Sequence, residues 1–392
     1  MNKSLWLASA GLAALTTTPA FAQTGGQIDP TTQNSPTARS GAVARDDTAR
    51  TPIDTGDIIV TATRRNEALS NVPIAVSAVT AATLANSGAS DIRGLTQLSP
   101  SLLVSSTSSE AGAGGARIRG VGTVGDNAGL ESSVAVFIDG VYRSRTGVGL
   151  TELGPVDRIE VLRGPQGTLF GRNASAGLIS IITAKPKFTP EVSGEVSIGN
   201  YNLRRGVLSI NAPLSDTVAV RIDGTYMKRD GFVTDVISGR DVNNRNRYLI
   251  RGQMLFQPSS DLSVRLIADY SKRKEECCAA DYLPVHDTVN TGGVISSQPS
   301  TIAAIERALG AVINDDTYSR KVAITPGRDY KSNVVDDGVS AEINYKLGST
   351  QMTSITAYRY NNYLRGQDAD YNNIDLLYRA SDGRAYNRFK TL

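Results

Sequence analysis

From residue 188 onward, apolar and polar residues alternate along the chain, and this period of two restricts the fold more than any other feature. Alternation of this kind predicts strands with one apolar and one polar face. Seven strands are expected, at residues 192–198, 204–212, 218–226, 247–256, 262–270, 339–345 and 351–360. Long polar loops, 228–246 and 271–337, alternate with short turns, as in bacterial outer-membrane β-barrels. A secreted β-sandwich is the alternative, but very long loops without regular structure are uncommon in compact domains.

The predicted strands are too few to close a barrel that holds a plug. Such barrels have about 22 strands, and an open sheet edge in lipid leaves backbone groups without hydrogen-bond partners. We therefore expect residues 188–392 to form the first part of an antiparallel transmembrane β-barrel, with about seven of roughly 22 strands present. The chain is accordingly expected to be part of a longer protein or a truncated product.

The first 22 residues have the features of a secretory signal peptide. A basic start precedes an apolar run from Leu5 to Leu15, and Ala20-Phe21-Ala22 matches a signal-peptidase cleavage site. The run is too short for a transmembrane anchor, which needs about 18 or more apolar residues. Residues 23–56 are rich in Thr, Pro, Ser and Gly and show almost no apolar pattern, so we expect a disordered tether.

Composition excludes several classes of function. The formal net charge of +3 gives no support for nucleic-acid binding. The chain has one histidine, His286, and two cysteines, Cys277 and Cys278, and no recognisable metal-binding or nucleophile–base arrangement. We therefore expect neither an enzyme nor a bound cofactor or metal. No segment after the signal peptide is apolar enough to form a membrane helix.

Residues 63–187 are expected to form a small α+β domain. Thr80 is a plausible N-cap and Gly88 a plausible C-terminal stop for a helix at Ala81–Ser87. Strands are expected at residues 71–79, 102–105, 116–119, 134–138, 159–162 and 179–183. Residues 120–125 match G-x-G-x-x-G, but the polar segment that follows is too short for the crossover helix of a dinucleotide-binding fold.

The run Asp57-Ile58-Ile59-Val60-Thr61-Ala62 lies between the tether and the α+β domain and is strand-prone. We expect it to have no partner strand in its own chain and to project from the folded body on the tether. A short strand of this kind pairs with another protein by joining an exposed sheet edge.

Five stretches together resemble the N-terminal part of TonB-dependent outer-membrane receptors. Residues 57–62 look like a TonB box, and the other four resemble successive motifs of the plug domain, in the same order. These four are Ala116–Gly120, Val136–Tyr142, Val156–Pro165 and Leu169–Gly177. The resemblance extends from residue 57 to about residue 360.

The resemblance implies a receptor in the bacterial outer membrane that captures a scarce extracellular ligand, such as a ferric siderophore or another large nutrient. Import would use energy from the inner membrane through TonB, with ExbB and ExbD. Residues 57–62 would bind TonB from the end of a periplasmic tether, residues 63–187 would form the plug, and outer-membrane lipid would surround the barrel. The open alternatives are a surface ligand-binding protein or phage or toxin receptor without active transport, and a non-functional truncated receptor.

Arginines in the Gly-rich motifs have a structural role in this family. Plug arginines at the Arg119 and Arg163 motif positions face barrel carboxylates, so the resemblance implies plug–barrel contacts for Arg117, Arg119 and Arg163. The strands that carry those carboxylates in the family lie beyond the strands of this chain. Solvated surface arginines are the alternative.

Two further features lie in the barrel region. Cys277 and Cys278 are adjacent in a long outer loop, and we expect a loop disulfide between them, with other bridges or free thiols as alternatives. Six tyrosines crowd the last predicted strand and the residues after it: Tyr358, Tyr360, Tyr363, Tyr371, Tyr378 and Tyr386. Tyr358 and Tyr360 are expected in an aromatic girdle, and the other four remain open between girdle and ligand contact.

Overall fold

The structure is a computed structural model. It describes residues 57–89, 92–105, 115–123, 131–144, 147, 152–280, 286–314, 316, 318–328, 330–366, 368, 370–376 and 386–391. The expected signal peptide at 1–22 and tether at 23–56 lie outside the described residues. Within the described residues, every helix is too short or too polar to cross a membrane.

The α+β domain is built on one five-stranded sheet. In chain order, the first nine described strands are β1 (Ile59–Val60), β2 (Glu67–Ala68), β3 (Val76–Thr80), β4 (Leu102–Ser105), β5 (Gly115–Ile118), β6 (Val134–Ile138), β7 (Val141–Arg143), β8 (Val156–Arg163) and β9 (Gly177–Thr183). The sheet has the order β3-β8-β9-β6-β7, in which only β6 and β9 run parallel. Strands β1 and β2 form a separate pair, as do β4 and β5.

Local sequence signals set the ends of the first helix as expected. The described helices of this domain are α1 (Ala81–Ser87), α2 (Leu95–Leu98) and α3 (Gly167–Phe170). The Thr80 side chain accepts a hydrogen bond from the Thr83 amide at the start of α1, and Gly88 ends the helix with a φ of 68°. Only glycine adopts this left-handed conformation without strain, so both predicted ends of α1 are confirmed.

Buried aliphatic side chains hold the sheet and its helices together. Every residue of β9 is buried, and Ile159, Ile179 and Ile181 lie at the centre of the core with Leu102 and Val134. A strand buried on both faces is covered on each side by other elements. Here the second face, which carries Phe137 and Leu178, packs against Val60 and Ala62, so the core is continuous with the segment that precedes the domain.

An eight-stranded antiparallel sheet follows. Its strands, in spatial order, are β10 (Glu191–Gly199), β11 (Leu203–Pro213), β12 (Val218–Arg229), β15 (Arg245–Phe256), β16 (Leu262–Glu276), β20 (Lys331–Leu347), β21 (Thr350–Gly366) and β22 (Tyr386–Thr391). Within the described residues this sheet is not closed into a barrel. The predicted class, an α+β domain followed by an incomplete antiparallel barrel, is confirmed.

The strand count exceeds the expected seven, because Tyr386–Thr391 pairs with the end of β21. These six residues include Arg388 and Lys390 and lack the apolar alternation by which the other barrel strands were predicted. They pair with β21 from Asn361 to Gly366.

The two long loops are shorter than predicted and contain regular structure. The first holds β13 (Val233–Asp235) and β14 (Asp241–Val242). The second holds β17 (His286–Thr291), β18 (Val294–Pro299), α4 (Thr301–Ala308) and β19 (Lys321–Val322). Strands β16 and β20 extend beyond the predicted ends. The outer residues of β16, from Ser271 to Glu276, are polar on both faces, and those of β20 contain adjacent valines, Val334 and Val335, so hydrophobic alternation does not mark either extension.

Side chains of the barrel strands separate cleanly by face. Ile222 and Ile250 are exposed on one face, whereas Arg221, Arg247 and Arg251 are buried on the other. Successive side chains of a strand point to opposite faces. The apolar face is therefore the outer one and the arginine-rich face encloses the α+β domain.

Candidate functional site

The segment 57–62 is docked on the α+β domain. Ile59 and Val60 form β1 and pair with Ala68 and Glu67 of β2. The side chains of Val60 and Ala62 are buried in the core. The expectations that this segment has no partner strand and projects from the folded body were wrong, because β2, which six residues separate from β1, is its partner.

A buried carboxylate fixes the end of this segment. Glu160 of β8 is fully buried and accepts hydrogen bonds from the Thr61 amide at 2.8 Å and from the Thr61 hydroxyl at 3.1 Å. The Arg158 Nε atom donates to the same carboxylate at 2.8 Å. A buried charge needs a counter-ion and hydrogen bonds; Arg158 supplies the counter-ion of Glu160, and the docked Thr61 supplies further hydrogen bonds.

Residues just after the segment also contact the domain. The Arg64 guanidinium lies 4.1 Å from the ring centre of Phe170 and 5.4 Å from that of Phe137. Arg64 has a φ of 64°, a conformation that is uncommon for residues other than glycine. This turn directs the chain back from β1 towards β2.

The α+β domain and the barrel are joined by buried charge pairs. Asp139 follows β6 in a tight Asp-Gly turn and lies 3.2 Å from the Arg265 guanidinium of β16. Thr183 donates its amide and its hydroxyl to Asp139 and accepts from Arg265. Burial favours a higher pKa for Asp139, but the attraction of Arg265 and Arg251 and the Thr183 hydrogen bonds outweigh it and lower the pKa.

In a second group of contacts, an arginine of the α+β domain binds carboxylates of the barrel. Arg143, at the end of β7, lies 3.4 Å from Asp336 and 4.0 Å from Asp269, both on barrel strands. Arg359 of β21 binds the Asp269 carboxylate through both terminal nitrogens, at 2.7 and 2.8 Å, and also contacts Asp336. Two arginines therefore share two carboxylates in a buried cluster.

Two more barrel arginines reach the α+β domain. Arg205 of β11 binds Glu152 at 3.0 Å. Arg273 of β16 donates to the Gly147 carbonyl at 2.8 Å. Sequence reasoning did not single out Arg205, Arg265 or Arg273. Arg205 and Arg265 occupy inward, polar positions of predicted strands, and that position was the signal available, whereas Arg273 lies in the part of β16 that was predicted as a loop.

The three arginines predicted to contact the barrel lie away from the ion pairs described above. Arg117 and Arg163 are half-buried, and Arg119 is exposed in the turn after β5 with a φ of 54°. Among the described residues, none of the three forms an ion pair with the barrel. The contacts expected for Arg117, Arg119 and Arg163 stay a prediction.

Cys277 and Cys278 form a disulfide at the outer end of β16. Cys277 is buried, and its amide donates to the Tyr330 carbonyl at 2.8 Å, which attaches the pair to the start of β20. No group of three or more His, Cys, Asp or Glu side chains in the described part of the chain is placed to hold a metal ion.

The tyrosines after residue 357 occupy different environments. Tyr358 lies exposed on the outer face of β21, and Tyr363 is buried on the inner face. Tyr360 is half-buried opposite Asp337, and Tyr371 is half-buried in the turn beyond β21. The side chains of Tyr378 and Tyr386 lie outside the described residues.

Beyond the outer end of β21, a pair of acidic residues anchors the second long loop. Asp368 is buried and accepts a hydrogen bond from the Thr325 amide at 2.8 Å. The Thr325 hydroxyl donates to the Asn372 carbonyl at 3.0 Å. Burial, followed by the hydrogen bond with Asp370, raises the pKa of Asp368 to about 7.

Comparisons with known proteins agree with this architecture. The family model "TonB-dependent Receptor Plug Domain" matches residues 68–178. The catecholate siderophore receptor Fiu of Escherichia coli O6:H1 is 30% identical over 135 residues, which is 33% of this chain and 16% of that protein. The ferric enterobactin receptor PirA of Pseudomonas aeruginosa is 27% identical over 228 residues, or 53% of this chain and 30% of that protein.

Solved structures show the same fold. The ferric yersiniabactin uptake receptor FyuA of Yersinia pestis has a TM-score of 0.61 at 20% identity, covering 74% of this chain and 41% of that one. The closed form of Fiu from E. coli K12 has a TM-score of 0.56 at 18% identity, covering 87% and 44%. The chain thus spans less than half the length of these relatives. The plug match ends within β9, and the similarity to the receptor folds extends across the barrel strands, so residues 68–178 match the plug domain of TonB-dependent receptors and the chain resembles such receptors of the bacterial outer membrane.

Proposed function

We propose that the receptor to which this chain contributes imports a ferric siderophore, or another large scarce nutrient, with energy delivered through TonB. No catalytic step is part of this proposal. Relatives named for catecholate siderophores, ferric enterobactin and ferric yersiniabactin support the ligand class. The domain assignment, with a TonB box at 57–62, a plug at 63–187 and a barrel from 188, is part of the same proposal.

The observation that carries the proposal is the docking of residues 57–62. The segment has strand geometry, yet only two residue pairs join β1 to β2. A pair of this length is easily exchanged for a longer partner strand, and pairing with an added strand supplies affinity through main-chain hydrogen bonds. The docked segment is thus suited to leave the plug and pair with TonB, with ExbB and ExbD supplying the energy.

The test compares Ile59→Pro with Ile59→Ala in the producing cell. Proline removes the backbone N–H and fixes φ, so strand pairing with TonB is blocked, whereas alanine keeps the backbone donor. We expect Ile59→Pro to abolish uptake of radioiron carried by enterobactin, yersiniabactin or another siderophore of a test panel, without loss of surface binding. Ile59→Ala should retain most of the uptake. Equal uptake by the two variants would reject the assignment of the TonB box.

The second candidate is a surface receptor for a toxin or phage without active transport. A relative named as the pesticin receptor of Yersinia pestis, 33% identical over 99 residues, supports this class. Ligand binding with no uptake of any siderophore in the panel, in cells with intact TonB, would favour this function over import.

A further inference from the structure

The two long loops at the outer end of the barrel are joined to each other. The first spans residues 230–244, between β12 and β15, and the second spans residues 277–330, between β16 and β20. Strand β13 of the first loop pairs in parallel with β19 of the second, and β14 is the third strand of this small sheet. Buried side chains from both loops pack together: Val233, Val242, Ala279, Val322, Ile324 and Tyr330. The loops therefore form one folded unit, which we call the loop module.

The disulfide between Cys277 and Cys278 lies where β16 ends and the loop module begins. The Cys277 amide donates to the Tyr330 carbonyl at 2.8 Å. On the other side of the disulfide, the Ala279 amide donates to the Asn243 side chain at 2.7 Å, and that side chain donates back to the Ala279 carbonyl at 3.0 Å. These hydrogen bonds connect the start of the second loop to the first loop and to the start of β20.

The residue just before the disulfide contacts both loops as well. The Glu276 amide donates to the Asn244 side chain at 3.1 Å, and the Glu276 carboxylate pairs with Arg240 at 3.0 Å. Arg240 in turn donates to the Arg328 carbonyl of the second loop at 2.9 Å. The disulfide is thus flanked on both sides by residues that hold the two loops together.

A disulfide between adjacent cysteines closes a small ring that includes the peptide bond between them. The ring removes backbone freedom from both residues, and reduction restores it, so the fixed conformation then carries a larger entropic cost. Cys277 is buried, whereas Cys278 is partly exposed, so a dissolved thiol has access to the bond from the side of Cys278. Exposed disulfides are reduced more readily than buried structural ones.

We propose that Cys277 and Cys278 form a redox switch that controls the order of the loop module and, through it, ligand capture. Disulfides persist in the oxidising space outside the cell, so the ordered, oxidised state is the resting state. A dithiol reductant opens the ring in two steps. Its first thiolate attacks Sγ of Cys278 and Cys277 leaves as a thiolate, and its second thiolate then displaces Cys278. The reductant becomes a disulfide, and its two protons are transferred to the two cysteine thiols.

Hydrogen exchange measured by mass spectrometry tests the switch on the intact receptor, extracted from outer membranes in mild detergent. Exchange is compared before and after incubation with dithiothreitol. The amides of Cys277 and Ala279, and that of Val236, which donates to the second loop, should exchange about tenfold faster after reduction. Strands β12 and β15 should be unchanged.

The matched control is Cys277→Ser combined with Cys278→Ser. This variant cannot form the ring, so its loop module should exchange like that of the reduced protein, with or without dithiothreitol. Asn243→Gly is the second variant, because glycine adopts the φ of 66° at this position and lacks the side chain that binds Ala279. Val236 should then exchange rapidly in both redox states.

Binding of gallium enterobactin and gallium yersiniabactin, whose metal is not reduced by thiols, tests the effect on capture. This part rests on the proposed function. Reduction should weaken about tenfold the binding of whichever complex the oxidised receptor holds. If the oxidised receptor binds neither complex, the proposed function loses support for these ligands, and the exchange result still decides whether the switch exists.

Three results would overturn the proposal. The first is a disulfide that dithiothreitol leaves intact, so that neither thiol is alkylated until the receptor is denatured. The second is equal exchange of the loop module in the oxidised and reduced protein, or a response no larger than that of the serine variant. The third is equal affinity of the oxidised and reduced receptor for a gallium complex that it binds.

Discussion

Replacing Glu160 by Gln should release the segment 57–62 without unfolding the plug. The change keeps the shape of the side chain and removes the charge that accepts two hydrogen bonds from Thr61. Hydrogen bonds to charged groups contribute about 1.5–3 kcal/mol and neutral ones about 0.5–1.5 kcal/mol. The docked state should therefore lose about 2 kcal/mol, which raises the ratio of released to docked segment roughly 30-fold.

Hydrogen exchange measured by mass spectrometry on the peptide that covers residues 57–69 reports this ratio directly. The Thr61 amide and the Leu69 amide, which donates to the Ile58 carbonyl, are protected only in the docked state. We expect both to exchange faster in Glu160→Gln, with β8 and β9 unchanged.

The control is Asp157→Asn, an equivalent change on the same strand. Asp157 is exposed and pairs with Arg158, but it does not contact the segment. Unchanged exchange of residues 57–69 in Glu160→Gln would refute the reasoning. Faster exchange of similar size in Asp157→Asn would do the same, because the effect would then belong to Arg158.

Three further outcomes are expected. Replacing Arg265 by Met leaves Asp139 buried without its main counter-ion. The free energy of unfolding of the plug, measured by chemical denaturation, should therefore fall by about 3–5 kcal/mol. The double variant that also carries Asp139→Asn should recover part of this loss. Burial raises the pKa of Asp368 to about 7, so the protonated form of this residue favours the folded state of the second long loop. Protection of that loop against hydrogen exchange should be greatest below about pH 4 and should fall as the pH rises to about 7. The variant Asp368→Asn should remove this pH dependence. Without reductant, the peptide with Cys277 and Cys278 should have the mass of two hydrogens less than the reduced form, whereas alkylation of both thiols would contradict the disulfide.

Local signals were enough to predict much of the fold. The helix at Ala81–Ser87 was set by its flanking Thr80 and Gly88, and period-two alternation gave seven barrel strands. Where hydrophobic alternation stops, as at the outer end of β16, the strand continues because its backbone partner on β20 continues. Pairing of this kind depends on a second strand and is not visible in one segment.

The candidate site was less accessible from the sequence, because its groups are distant in the chain. Thr61 and Glu160 are 99 residues apart, and Asp139 and Arg265 are 126 residues apart. The resemblance predicted ion pairs between plug arginines and barrel carboxylates, and Arg143 forms ion pairs of this kind. Asp139 and Glu152 show the reverse polarity, in which barrel arginines bind plug carboxylates.

The environment of Glu160 also explains why release of the segment need not damage the plug. When Thr61 leaves, the carboxylate loses two hydrogen bonds but keeps Arg158 as its counter-ion at 2.8 Å. Stranding a buried charge without any partner costs about 3–5 kcal/mol, and Arg158 prevents that cost. Within the described part of the chain, the hydrogen bonds of Thr61 go to Glu160 and Arg64 and not to a barrel residue. The segment therefore leaves against a barrier set by its own few contacts, while the ion pairs of Asp139 and Arg143 continue to hold the plug in the barrel.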